Sequence, residues 1–176
     1  MIRKRNILAI DPGLREMGMA HFEGTDLIDY GVKSLRRQGN QARRPQMMVA
    51  VVARLLREKQ LDAVAIEQND FDHIRQNQQL MAAIRRVHQT VINAHIPLYA
   101  FAPSTIRKAV TGDGTASKYI VAKVICAGNS YLKPYLHREA GWRQRYYFNM
   151  FDAIACGLAY LNAEKDNLLA KYAVNL

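Results

Sequence analysis

Cysteine is rare in this sequence, and long apolar runs are missing from it. Two cysteines, Cys126 and Cys156, are too few for the disulfide framework of a small secreted protein, and no CxxC or His-rich spacing predicts a zinc site. The longest apolar run, residues 47–53, is far shorter than the roughly 20 residues of a membrane-spanning helix. The basic residues near the N-terminus are not followed by the apolar region of a signal peptide. We therefore expect a protein of the reducing cytoplasm, neither secreted nor inserted in a membrane.

Acidic residues are few relative to basic ones. The 176 residues include 25 lysines and arginines but 15 aspartates and glutamates, which gives a formal net charge of +10 and an isoelectric point near 9.8. Residues 33–59 and residues 107–145 contain eight basic residues each, whereas residues 62–72 contain four acids and no base. Because a basic surface attracts polyanions, this distribution favours a nucleic-acid partner, with phosphate-binding surfaces around an acidic, metal-binding pocket. A basic surface without a specific partner is the alternative.

The order of predicted elements indicates an α/β fold. No linker, repeat or low-complexity segment divides residues 1–176, so we interpret the chain as one domain. Short apolar runs bounded by turn residues predict strands, and apolar stripes at helical spacing predict helices, while residues 128–146 are less regular. The predicted strands are 6–11, 17–22, 27–34, 62–67 and 97–101, and the predicted helices are 45–59, 76–94, 103–109, 117–127 and 149–164. This order predicts a mixed five-stranded sheet, an antiparallel meander joined to parallel strands, with flanking helices.

Two predicted buried strands end on a carboxylate. The runs at 6–11 and 62–67 end on Asp11 and Glu67. If these strands are parallel neighbours, both carboxylates lie at the sheet edge where α/β proteins bind ligands. Like charges held close together repel, and a divalent cation relieves the repulsion. The alternative is a polar residue that only ends a strand, which suits Asp11 better than Glu67 because glutamate is not a favoured turn residue.

Asp152 is the third candidate carboxylate. A last helix that starts at residue 149 places Asp152 in the first turn, where the positive end of the helix dipole favours a carboxylate. The residues three, four and seven positions later are small, namely Ala155, Cys156 and Ala159. A helix with such a face approaches a sheet closely and brings Asp152 to the metal. The alternative is a carboxylate that only stabilises its own helix.

Four segments form a recognisable series along the chain, namely residues 7–15 (ILAIDPGLR), 65–68 (AIEQ), 103–118 and 152–155 (DAIA). In this order they resemble the first strand and turn, the second motif, the basic segment and the start of the last helix of the RuvC family of Holliday-junction resolvases, which have an RNase H-like fold. Order and spacing agree across residues 6–162. The resemblance implies a metal-dependent endonuclease that resolves Holliday junctions by paired, symmetric nicks in recombination and repair.

The resemblance also implies the residues of the site. Asp11, Glu67 and Asp152 match the family's metal ligands, and Lys118 matches a lysine near its active site that neutralises or orients the phosphate. The family uses two Mg2+ ions, with Mn2+ as a substitute, to activate water and to stabilise the departing 3′ oxygen. The implied DNA-binding residues are Phe71, Arg75, Arg107, Lys108 and Lys118.

One position departs from the family pattern. The family commonly has Asp or His three residues before its last Asp, and this sequence has Asn149 there. Because an amide oxygen binds Mg2+ without contributing a charge, we expect a weaker metal site, help from Asp70 or Asp72, or a need for more Mg2+.

Several residues have a structural alternative. Phe71 either stacks on an unpaired base near the crossover, as the resemblance implies, or packs in the core or a lid. Lys118 without the resemblance is a solvated helix residue. Tyr146, Tyr147 and Phe148 either face DNA or belong partly to the core.

The predicted helix 76–94 has apolar residues on two flanks, so we expect more than one neighbour to cover it. The resemblance implies a homodimer packed largely through this helix. His88 and His95 on it are interpreted as core or interface residues rather than metal ligands.

The expected partners are four-way or branched DNA, a second copy of the chain and branch-migration machinery. One alternative function is a broader nuclease of forks, flaps or RNA. Another is a junction-binding protein with impaired catalysis, which Asn149 keeps open. Actin-like ATPases share the fold and an Asp-Pro-Gly turn, but they need further Gly-rich phosphate loops and a two-domain cleft.

Overall fold

The computed structural model of the chain describes residues 3–36, 43–68, 78–137 and 141–174. Its centre is a five-stranded sheet in the order β3-β2-β1-β4-β5. β1 pairs antiparallel with β2 and β2 with β3, whereas β1 pairs parallel with β4 and β4 with β5. The strands are β1 (Asn6–Asp11), β2 (Glu16–Glu23), β3 (Asp26–Ser34), β4 (Ala63–Glu67) and β5 (Leu98–Phe101). The predicted fold class is confirmed, and every strand lies within one residue of its predicted bounds.

Five α-helices flank the sheet in the described residues. They are α1 (Arg44–Glu58), α2 (Gln78–Asn93), α3 (Pro103–Thr111), α4 (Lys118–Gly128) and α5 (Trp142–Lys165), with 3-10 turns at Ser130–Tyr135 and Leu169–Lys171. Proline stands in the first turn of α1 and of α3, where its missing N–H leaves no hydrogen bond unmade. Ser117 caps α4, since its hydroxyl accepts a hydrogen bond of 3.3 Å from the Ile120 N–H. None of these helices has the length and hydropathy needed to span a bilayer.

Side-chain size alternates along the central strands and decides which helices each face accepts. Leu8 and Ile10 of β1 pack with α1 and α2 on one face, while Ala9 points to the other face, which α5 covers. β4 repeats the pattern, with Ala65 toward α5 and Ile66 toward α1 and α2. The small residues leave room for α5 to lie close against the sheet.

A glycine on β2 marks the closest approach of α5. A Cβ atom at Gly18 would lie 1.8 Å from the backbone oxygen of Asn149, so no larger residue fits without moving the helix. At Gly157 of α5 a Cβ atom would lie 2.2 Å from the ring of Phe22. These contacts fix the depth of α5 on the sheet, and α3 and α4 pack on its opposite side.

The predicted start of the last helix is wrong. α5 begins at Trp142 rather than at residue 149, so it runs through part of the stretch described as less regular. Its N-cap, Gly141, has no side chain to hydrogen-bond the first turn. The first turn contains no acidic residue and is not preceded by Ser, Thr, Asp or Asn, so the sequence carries no clear start signal.

α2 is covered by neighbours from its own chain. Its buried residues join α1 and the sheet in one apolar cluster, which confirms the expectation of more than one neighbour. His88 is buried at 7% exposure, as predicted for a core residue. His95 is not in the core, because α2 ends at Asn93 and His95 lies exposed in the following turn with φ 56°.

Candidate active site

The sheet places Asp11 and Glu67 side by side. They are the last residues of β1 and β4, and the residues before them, Ile10 and Ile66, are paired in parallel register. Because side chains alternate along a strand, both carboxylates point to the face opposite the two isoleucines, which is the face that α5 covers. The predicted convergence at the carboxyl ends of parallel strands therefore exists.

Asp152 lies on α5, the helix that covers the face to which Asp11 and Glu67 point. It is buried at 8% exposure and lies well inside α5, about three turns from the start at Trp142. The helix dipole therefore does not stabilise Asp152, contrary to the prediction, because it acts mainly within the first turn. Its charge is instead balanced by Lys118, the first residue of α4, whose ammonium donates to Asp152 Oδ2.

The pKa values show that the three carboxylates share one electrostatic environment. Burial, then the charges of Glu67 and Asp152, raise the pKa of Asp11 well above its usual value. Burial, then the charge of Asp152, raise the pKa of Glu67 to about 7. Burial also raises the pKa of Asp152, although Lys118 opposes this shift. The cluster holds more negative charge than its surroundings offset, which is the condition that a bound cation relieves.

Two basic residues belong to the cluster. Burial lowers the pKa of Lys118, but Asp152, Asp11 and Glu67 together raise it above its usual value. Arg107 of α3 is half-buried, and its charge lowers the pKa of both Glu67 and Asp152. The sequence predicts Arg107 only as a DNA contact and gives no signal of its proximity to the carboxylates.

Lys108, the neighbour of Arg107 in sequence, has a different position. Its side chain is exposed, and it is not among the main charges acting on Asp11, Glu67 or Asp152. α3 thus directs Arg107 toward the carboxylates and leaves Lys108 on the surface.

Cys156 forms part of the floor under the carboxylates. It follows Asp152 by one helical turn and is fully buried. Burial, then the charges of Glu67 and Asp11, raise the pKa of the Cys156 thiol well above its usual value, so the group stays neutral. A small neutral side chain here allows α5 to approach the sheet, as predicted from its spacing.

Carboxylate oxygens are the ligand class that Mg2+ prefers, and the excess negative charge fits a divalent cation. In the described residues, however, no three His, Cys, Asp or Glu side chains form a ready-made metal-binding group. The carboxylates are close enough to shift one another's pKa, with Lys118 bound to one of them. The arrangement therefore fits a cation in charge and donor type, and Lys118 competes with it for Asp152.

Asn149 lies one turn before Asp152, on the rim of the site. Its amide Nδ2 donates to the backbone oxygens of Arg145 at 3.3 Å and Tyr146 at 3.4 Å. Asn149 also lines a polar cleft with Gly13, beside the carboxylates. The amide group is thus tied to its own helix.

The aromatic residues near the start of α5 contact other parts of the protein. The Tyr146 hydroxyl donates to the Val32 carbonyl at 3.1 Å, the ring of Tyr147 lies 5.1 Å from that of Tyr135, and Phe148 packs against the core. These contacts favour the packing alternative. Four further residues named from the sequence, Phe71, Arg75, Asp70 and Asp72, lie outside the described residues.

Comparison with known proteins identifies relatives of this chain. The family model for the crossover junction endodeoxyribonuclease RuvC matches residues 7–127. This match includes Asp11, Glu67 and Lys118 but ends before Asp152, whose place in the cluster is seen in the structure.

Among curated relatives, RuvC of Cytophaga hutchinsonii is 33% identical over 129 residues, covering 69% of this chain and 63% of that protein. RuvC of Sulfurovum sp. is 31% identical over 125 residues, covering 68% of this chain and 78% of that protein. Among solved structures, Thermus thermophilus RuvC in complex with Holliday junction substrate matches with a TM-score of 0.73 at 22% identity, covering 97% of this chain and 99% of that chain. This structural likeness shows a common fold.

Proposed function

The chain belongs to the RuvC family of crossover junction endodeoxyribonucleases, and on that premise we propose that it resolves Holliday junctions by paired hydrolytic nicks in recombination and repair. One observation supports the proposal: the side chains of Asp11, Glu67, Asp152 and Lys118 lie close enough together at one end of the sheet to shift one another's pKa. A single nuclease domain spanning residues 1–176 is part of the proposal.

We propose Mg2+ as the cofactor, two ions per site, held by Asp11, Glu67 and Asp152. The family is metal-dependent, and the fit rests on buried oxygen donors, since burial, then the charge of Asp152, raises the pKa of Glu67 to about 7. When bound, the ions supply an activated water and charge stabilisation at the departing 3′ oxygen. Asn149 offers one of them a neutral oxygen at most, so this chain needs more Mg2+ than a member with a carboxylate there.

Lys118 and Arg107 supply positive charge that does not depend on the metal. Lys118 pairs with Asp152 and moves its ammonium to the scissile phosphate when DNA enters, where it neutralises the charge that develops on phosphorus. Arg107, already turned toward the carboxylates, holds the same or the adjoining phosphate. Exposed Lys108 contacts a phosphate further out.

Phe71 and Arg75 are proposed as DNA contacts on the resemblance alone. An aromatic four residues after Glu67 stacks on an unpaired base at the crossover, which is worth about 1–3 kcal/mol per base. Arg75 binds the adjacent backbone.

A homodimer is proposed because the substrate has two-fold symmetry. Two sites related by a two-fold axis cut two strands symmetrically. The chain itself covers Met81, Ile84, Val87 and Val91 of α2, whereas Leu80 and Ile92 are only half-buried, so the apolar flanks of α2 do not by themselves indicate a dimer. The molar mass from light scattering tests this point, and twice the 20.0 kDa chain mass is expected. Branch-migration machinery is the proposed functional partner.

Cleavage of a synthetic four-way junction tests the proposal. Each strand is labelled in turn, and a linear duplex, a fork and a flap serve as comparison substrates with Mg2+, Mn2+ or EDTA. Paired symmetric nicks in the junction alone, abolished by EDTA, are expected. Equal cleavage of forks and flaps would indicate a broader branched-DNA nuclease. Tight junction binding without cleavage in either metal would indicate a binding protein, as Asn149 allows.

A further inference from the structure

The polar cleft that Gly13 and Asn149 line lies beside the carboxylate cluster. It has a volume of about 420 Å³, and its lining includes Gly13, Arg15, Arg44, Gln79 and Asn149. The residues come from the turn after β1, the first turns of α1 and α2, and the rim of α5. The sequence does not predict that Arg15 and Arg44 line one cleft, because the two arginines lie far apart along the chain.

The cleft adjoins the cluster on two sides. Gly13 follows Asp11 by two residues in the turn that ends β1, and Asn149 precedes Asp152 by one turn on α5. When the scissile phosphate of a DNA strand lies over the carboxylates, the strand backbone therefore continues into the cleft in one direction and away from it in the other.

The cleft carries a net positive charge. Arg15 is exposed and Arg44 half-buried, and neither forms an ion pair with any residue that the structure describes. The acid of the lining, Glu16, is bound by Arg36 at 2.8 Å. Two guanidinium groups are thus available to an anion, and guanidinium matches phosphate geometry through paired hydrogen bonds.

The residue at position 149 is compatible with an anion in the cleft. Asn149 is neutral, and its Nδ2 donates to backbone oxygens of its own helix. A carboxylate at this position would add negative charge to the lining and repel a phosphate.

We propose that Arg15 and Arg44 bind a backbone phosphate of the cleaved strand next to the scissile one, and so set which linkage lies over the carboxylates. This inference rests on the proposed function. The ligand is a nucleic-acid phosphodiester, and the two arginines are positioning residues rather than catalytic ones.

The test compares Arg15→Gln and Arg44→Gln with Arg57→Gln. Arg57 is an exposed arginine at the other end of α1, outside the cleft, so its substitution removes the same charge. Junction affinity is measured in EDTA over a salt series, and single-turnover cleavage and the cut position are measured with Mg2+. Each cleft variant is expected to lose about tenfold in affinity, to lower the salt slope by about 0.9 and to spread the cut over neighbouring linkages, whereas Arg57→Gln changes these much less.

Neutral linkages locate the phosphate. Junctions with one methylphosphonate at successive positions flanking the cut are bound to the wild type and to each variant. At the contacted position the neutral linkage weakens wild-type binding but has little further effect in Arg15→Gln or Arg44→Gln. Suppose that the wild type cleaves, but the cleft variants match Arg57→Gln in affinity and cut position, and no methylphosphonate position is coupled to either arginine. That result would overturn this inference and leave the proposed activity standing. If the wild type never cleaves a junction, but the cleft variants bind it more weakly than the wild type does, the proposed activity would be overturned instead.

Discussion

Lys118 and Asp152 form an ion pair that joins the first residue of α4 to the interior of α5, within the carboxylate cluster. The Asp152 side chain is 11% exposed and that of Lys118 48%, so the lysine reaches in from the surface. Lys118 is therefore the more exposed partner of a buried carboxylate.

Replacing Lys118 should slow the chemical step more than it weakens DNA binding. Lys118→Met removes the charge that is placed to stabilise the transition state, and a loss of about 100-fold in single-turnover cleavage is expected. Junction affinity should fall less than tenfold, since many other phosphate contacts remain. Lys123→Met, an exposed residue on the same helix, is the matched control. Unchanged cleavage by Lys118→Met would remove Lys118 from the mechanism.

The metal-free protein should lose stability as the pH rises toward neutrality. The folded-state pKa of Glu67 is about 7 against an ordinary value of 4.5, so the folded state binds more protons than the unfolded state between these values. The free energy of unfolding in EDTA should therefore fall from about pH 4.5 to about pH 7, by on the order of 1–3 kcal/mol.

Urea unfolding at several pH values measures this fall. Glu67→Gln should reduce it, and saturating Mg2+ should reverse it, whereas Glu58→Gln on the surface of α1 should leave it unchanged. A Glu67→Gln profile identical to that of the wild type would show that Glu67 is not the titrating group.

Gly18→Ala should damage both stability and activity. The added Cβ atom would lie 1.8 Å from the Asn149 backbone oxygen, so α5 must move away from the sheet and carry Asp152 with it. A loss of about 1–3 kcal/mol in unfolding free energy is expected, with slower cleavage. Gly31→Ala on β3 is the control, because no atom lies within 4 Å of its added Cβ. Equal effects of the two substitutions would contradict the close packing of α5.

The sequence predicts the sheet and the placement of two carboxylates. Strand alternation and the parallel pairing of two apolar runs are local properties, and they suffice to bring Asp11 and Glu67 to one edge and one face. The small residues around Cys156 likewise predict a helix that lies close to the sheet.

Tertiary packing decides what the sequence does not show. α5 begins early without a side-chain cap, so the surroundings of Asp152 differ from the prediction. The choice between Arg107 and Lys108 depends on how α3 turns when Ile106 enters the core. Arg15 and Arg44 meet only after the sheet and α1 have assembled.

Asp11, Glu67 and Asp152 together form the proposed catalytic centre for junction cleavage. Its most direct test is single-turnover cleavage of a labelled four-way junction by Asp11→Asn, Glu67→Gln and Asp152→Asn, with Glu58→Gln as control and junction affinity measured in parallel. We expect each of the three substitutions to reduce cleavage by at least ~100-fold while junction binding is retained. Cleavage at the wild-type rate by any of the three would contradict it.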